Sequence, residues 1–157
     1  MVPFLLQQNA PRTRPLRLIA IVLVSIFLVG CHESGTWKDD SKNWKRIFGI
    51  AKPASVTVVH SWFWRSAHFT YEYEYFIQVA ANDDFQKRLF TLNKLKQLTG
   101  DAEIAAVTGF SKHKPEWFLP KPVASYETWI YADEPRGHFT VLIDRETKDL
   151  FISDLQL

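Results

Sequence analysis

Residues 69–79 constrain this chain more than any other stretch, because their side chains alternate with a period of two. Phe69, Tyr71, Tyr73, Tyr75, Ile77 and Val79 fall on one side, and Thr70, Glu72, Glu74, Phe76 and Gln78 on the other. That spacing fits a pleated strand and no helix, so the chain must build a sheet. Residues 56–65 are β-branched and aromatic and stand only Ser66-Ala67-His68 away. An antiparallel hairpin is predicted, with Trp62, Trp64, Tyr71 and Tyr73 close together. Three later runs read as strands, 126–132, 138–144 and 150–154, the last two joined by the polar loop Arg145-Glu146-Thr147-Lys148-Asp149.

Helical signals separate these runs. Asp39 or Asp40 is placed to cap a helix over 41–48, with Trp44, Ile47 and Phe48 on one face, Lys42, Lys45 and Arg46 on a solvated face, and Gly49 as its stop. Asp83 or Asp84 opens a second helix that carries Phe85, Leu89 and Leu92, and a third is expected over 101–108, ended by Gly109. Pro115, Pro120 and Pro122 exclude a central strand or long helix over 112–123. The 157 residues are 46% hydrophobic and 15% aromatic, which suits one globular domain and excludes a disordered chain. The expected class is α+β, an antiparallel sheet of about five strands with two or three short helices packed on one face.

The amino-terminal stretch reads differently. Arg12, Arg14 and Arg17 precede twelve uncharged residues, Leu18 through Val29, and then Gly30 and the single Cys31. Twelve residues make roughly 20 Å of helix, short of the roughly 30 Å hydrocarbon core, so a cleaved signal is expected rather than a permanent span. Leu28-Val29-Gly30-Cys31 resembles the lipobox of bacterial lipoproteins. That resemblance implies a diacylglyceryl group on the Cys31 thiol, cleavage between Gly30 and Cys31, and acylation of the new amino terminus. Two or three acyl chains anchor a protein where one holds it only marginally. An Asp after the modified Cys resembles an inner-membrane retention signal; His32 stands there instead and points to the outer membrane. The resulting organisation is a signal peptide over 1–30, a tether over 31–36 and one periplasmic domain over 37–157.

Charge narrows the function. Three of the 19 Lys and Arg lie in the leader, which leaves 16 against all 17 Asp and Glu in the remainder. A near-neutral mature chain offers no basic face for a phosphate backbone, so nucleic-acid binding is disfavoured. One Cys excludes a disulfide scaffold, and no two of His32, His60, His68, His113 and His138 have the spacing of a helical metal pair. Neither a metal nor another cofactor is expected.

No catalytic motif is present, and an acylated Cys31 is not a nucleophile, so the expectation is a protein without enzymatic activity. The alternative is an envelope hydrolase using Glu72, Glu74 or His60, although Glu72 and Glu74 read first as the polar face of a half-exposed strand. His60 reads as a sheet histidine in register with Val58 and Trp62, and His113 as an exposed loop residue. Trp117 and Phe118, held between prolines, are candidate partner or ligand contacts with Trp62 and Trp64; the competing reading folds Trp117 and Phe118 back as a lid on the core.

The pattern Trp37-x-Asp39-Asp40-x-x-Asn43-Trp44-x-Arg46-x-Phe48-Gly49, with Trp117-Phe118 and the closing hairpin, resembles small proteobacterial lipoproteins. The expected function is that of a lipid-anchored periplasmic accessory factor that binds a protein partner, with an immunity protein against a delivered toxin as a sharper version. A small-ligand-binding lipoprotein is a further alternative.

Overall fold

A computed structural model of the protein describes residues 34–67, 72–108, 111–132 and 138–157. The leader, Cys31, His32, His68, Phe69, Tyr71 and Gly109 lie outside the described residues. The elements follow in the order β1 (Gly35–Lys38), α1 (Asn43–Phe48), β2 (Val58–Arg65), β3 (Tyr73–Val79), α2 (Asp83–Asn93), β4 (Leu95–Leu98), α3 (Asp101–Thr108), a single 3-10 turn (Val123–Ser125), β5 (Tyr126–Tyr131), β6 (Thr140–Asp144) and β7 (Leu150–Gln156). All strands join one antiparallel seven-stranded sheet in the order β1-β2-β3-β7-β6-β5-β4.

The α+β class is as expected, and the strand count is seven rather than about five. The two additional strands, β1 and β4, are the sheet's edges. Each has four residues, too few to display an alternation, and each carries a lysine, a common way to blunt an edge against further pairing. Gly35 and Thr36, read from the sequence as the end of the tether, are the first two residues of β1.

Helices on one face only was the second expectation the structure corrects, because both faces of the sheet are covered. On the helical face Phe63, Tyr75, Ile77, Val141, Leu150 and Ile152 pack beneath Trp44 of α1 and Leu89 of α2. On the opposite face Trp62, Phe76, Leu142, Phe151 and Tyr126 pack beneath Phe118. A strap of residues 111–122 crosses this second face, and Val107 and Thr108 at the end of α3 line a small cleft there beside Phe76 and Leu142. Every residue of β6, Thr140-Val141-Leu142-Ile143-Asp144, is buried. The apolar run Val141-Leu142-Ile143 at its centre is the sequence sign of a strand covered on both sides.

Local chemistry sets the helix ends. Asn82, not Asp83 or Asp84, caps α2: its side-chain oxygen accepts from Phe85 N at 2.8 Å. In α1, Asp40 Oδ1 accepts from Lys42 N at 2.8 Å in a turn just ahead of the helix, and Gly49 ends it at φ 71°, a left-handed conformation that costs glycine little. Arg46, expected among the solvated charges, reaches Asp40 Oδ2 at 3.0 Å and Asn43 Oδ1 at 2.8 Å and lies 4.4 Å from the Trp37 ring centre. The Lys42 N–H and then the Arg46 guanidinium hold the Asp40 carboxyl below the usual carboxylate range.

Candidate ligand groove

Helices α1 and α2 do not close over the helical face. Between them and the sheet lies a groove of about 320 Å³. Trp44 and Phe48 of α1, Phe85 and Leu89 of α2, Tyr75 of β3 and Phe139 ahead of β6 form its sides and floor. Trp44, Phe48 and Phe85 touch one another at ring-centre distances of 4.4, 5.2 and 5.8 Å, so one wall is a packed aromatic cluster rather than a set of loose side chains. Four large hydrophobics are exposed among the described residues, and two of them, Ile50 at 51% and Leu92 at 76%, line this groove. Leu92 was expected to pack inward with Phe85 and Leu89; it lies one turn further along, close to the helix end that Lys94 sets at φ 44°.

Polar atoms in the groove are few and mostly engaged. Tyr73 donates its hydroxyl to Asp154 Oδ2 at 2.8 Å, and Asp154 Oδ1 accepts from Leu155 N at 3.0 Å. Tyr131 donates to Asn93 Oδ1 at 3.0 Å. Burial, and then the nearby Asp154 charge, push the Tyr75 phenol well above the ordinary tyrosine range, so it stays protonated. The Tyr75 hydroxyl makes no hydrogen bond to a described residue, and the buried Trp44 Nε1 likewise has no partner among them. Arg88 of α2 is exposed on the groove wall and makes no ion pair among the described residues.

The residues singled out from the sequence meet on the other face. Phe118 is 3% exposed and packs against Phe76 and Phe151 at 4.8 and 5.7 Å, and Trp62 is 7% exposed. Their apolar surface belongs to the second core and is not presented to a partner. Trp117 and Trp64 are partly buried at its edge, Trp117 stacked on His60 at 5.2 Å. Phe118 folds back on the second core, and Trp117 stays partly exposed beside it. Tyr73 does not join Trp62 and Trp64, because it faces the helices.

Glu74 is not on a half-exposed face either. It is 4% exposed, and its Oε2 lies 3.1 Å from His113 Nδ1. A carboxylate accepts in such a contact, which places the proton on Nδ1. His113 is exposed, as expected, and its ring also stacks on Trp62 and Trp64 at 5.9 and 6.4 Å, which ties the strap to β2 and β3. Glu72 lies ahead of β3, its carbonyl accepting from Ser66 N at 3.1 Å. His60 faces Gln78 across a bulge that separates it from Val58, so the two do not share a face as expected; its Nδ1 is 3.5 Å from Asp39 Oδ1. The cleft beside Glu74 measures about 30 Å³. That is room for about one water molecule.

A third depression, of about 370 Å³, lies beside Asp39, Asp40 and Lys52, lined by the turn ahead of α1, the connection between α1 and β2, and the start of β2. The groove between the helices differs in having regular elements for walls, which makes it the best preformed site of the three. No three His, Cys, Asp or Glu among the described residues are grouped to hold a metal ion, and no described helix is long and apolar enough to cross a membrane. No protein-family model, curated protein or solved structure matches this chain.

Proposed function

We propose that this chain is a lipid-anchored protein of the bacterial envelope that acts by binding, with its domain in the periplasm and the groove between α1 and α2 as its contact site. The groove carries this reading: it is apolar, preformed and flanked by Ile50 and Leu92, in a domain whose other large side chains are mostly spent on the two cores. Cys31 in its lipobox-like context supports the anchor, and His32 supports the outer membrane.

The test is affinity purification of the full-length lipoprotein from cross-linked, detergent-solubilised envelopes, beside Cys31→Ala and Leu92→Asp. The wild type is expected to carry acyl groups and an occupant, protein or small molecule, that mass spectrometry detects. Cys31→Ala should lose the acyl groups and the membrane, and Leu92→Asp the occupant alone. An acylated protein recovered with nothing bound contradicts the binding reading, and an unmodified Cys31 in the wild type contradicts the anchor.

A further inference from the structure

We infer that the groove takes an amphiphile with a single apolar chain and one anionic head, the chain seated among the aromatics and the head held by Arg88. This rests on the groove being the binding site and adds the chemistry of its occupant. Size is the first argument. About 320 Å³ falls at the lower end of the roughly 300–1,000 Å³ typical of small-molecule pockets, which suits one apolar chain of medium length. The lining is the second argument. Phe48, Phe85, Leu89 and Phe139 offer only carbon, which favours burying an apolar chain over a sugar or a peptide backbone.

Charge decides the head. Two charged groups line the groove, and they differ in what they already hold. Asp154 accepts from both the Tyr73 hydroxyl and the Leu155 N–H, so its oxygens are satisfied without a ligand. Arg88 has no ionic partner among the described residues and stands on the exposed wall, where a chain lying in the groove would bring a carboxylate or phosphate within reach. Two further polar groups of the lining, the Tyr75 hydroxyl and the buried Trp44 Nε1, make no hydrogen bond to a described residue and are open to the occupant.

The experiment uses the full-length lipoprotein in its own membrane. Envelopes are incubated with dodecanoate bearing a chain diazirine, or with the matching neutral dodecanol, then illuminated and mapped by peptide mass spectrometry. Labels are expected on peptides of α1, α2 and β3, displaced by excess dodecanoate or dodecyl phosphate; the better competitor names the head as carboxylate or phosphate. Arg88→Glu should reduce labelling by the acid about tenfold and by the alcohol less than twofold. Labelling spread evenly over the surface, or an equal effect of Arg88→Glu on acid and alcohol, overturns the inference. If the groove stays unlabelled while a photocross-linker at position 92 captures a protein, the amphiphile is wrong and the binding reading stands; if position 92 captures nothing as well, both fall.

Discussion

Asp144 shows how one side chain ties two parts of the domain. Its Oδ1 accepts from Glu146 N at 2.9 Å and Thr147 N at 3.1 Å, which shapes the β6–β7 turn, and its Oδ2 meets Lys121 Nζ of the strap at 2.9 Å. Burial opposes its charge, but Lys121 and the two N–H groups outweigh burial and hold its carboxyl below the ordinary value of 3.8. A carboxyl depressed in the folded state contributes stability above its unfolded value and loses it as pH falls through the folded one. The contribution is therefore complete above about pH 5 and fades below about pH 4. Asp144→Asn should cost about 2 kcal/mol at neutral pH and flatten the acid limb of a stability profile measured by urea melts. Asn43 is the second such residue. Fully buried, it donates to Trp37 O at 3.0 Å and Ser61 Oγ at 3.1 Å and accepts from Arg46 at 2.8 Å, joining β1, α1 and β2. Asn43→Ala is expected to cost about 3 kcal/mol and lower Tm by roughly 10 °C, whereas exposed Lys45→Ala should change stability by less than about 0.5 kcal/mol.

At the scale of elements the strap matters most, because it replaces a helical layer with a proline-bounded segment. Phe118 is its anchor, and Phe118→Ala should cost about 4 kcal/mol, read as a lowered guanidinium midpoint. Trp117→Ala, at a partly exposed stack, should cost about half as much. The central strands were legible in the sequence because β-branched and aromatic residues run through them with period two. The edges were not, since Gly35-Thr36-Trp37-Lys38 and Leu95-Lys96-Gln97-Leu98 are short and gain their strand character from a neighbour's hydrogen bonds. Coverage of the second face was half legible: Phe76 interrupts a face that otherwise reads Thr70, Glu72, Glu74, Gln78, and Val141-Leu142-Ile143 at the centre of β6 is apolar on both sides. Glu74 misled because a buried carboxylate is recognised by its partner, and His113 lies 39 residues away in sequence.

For the whole molecule, the proposed anchor and the proposed binding surface rest on different kinds of signal. The lipobox-like run ending at Cys31 is visible in the sequence because such signals are read by residue order alone. The groove is not, because it is assembled from α1, α2, β3 and the approach to β6, and no local spacing marks a space left between elements. Its clearest trace in the sequence is Ile50, a hydrophobe directly after a helix-ending glycine, together with Leu92 at the end of an amphipathic helix. The central claim is that this space is occupied in the cell. A benzophenone amino acid placed at position 92 of the full-length protein, and in parallel at the exposed position 59 outside the groove, reports this on illumination of intact cells. A discrete adduct from position 92 and none from position 59 is the predicted result. Adducts of equal yield from both positions, or none from 92, would contradict it.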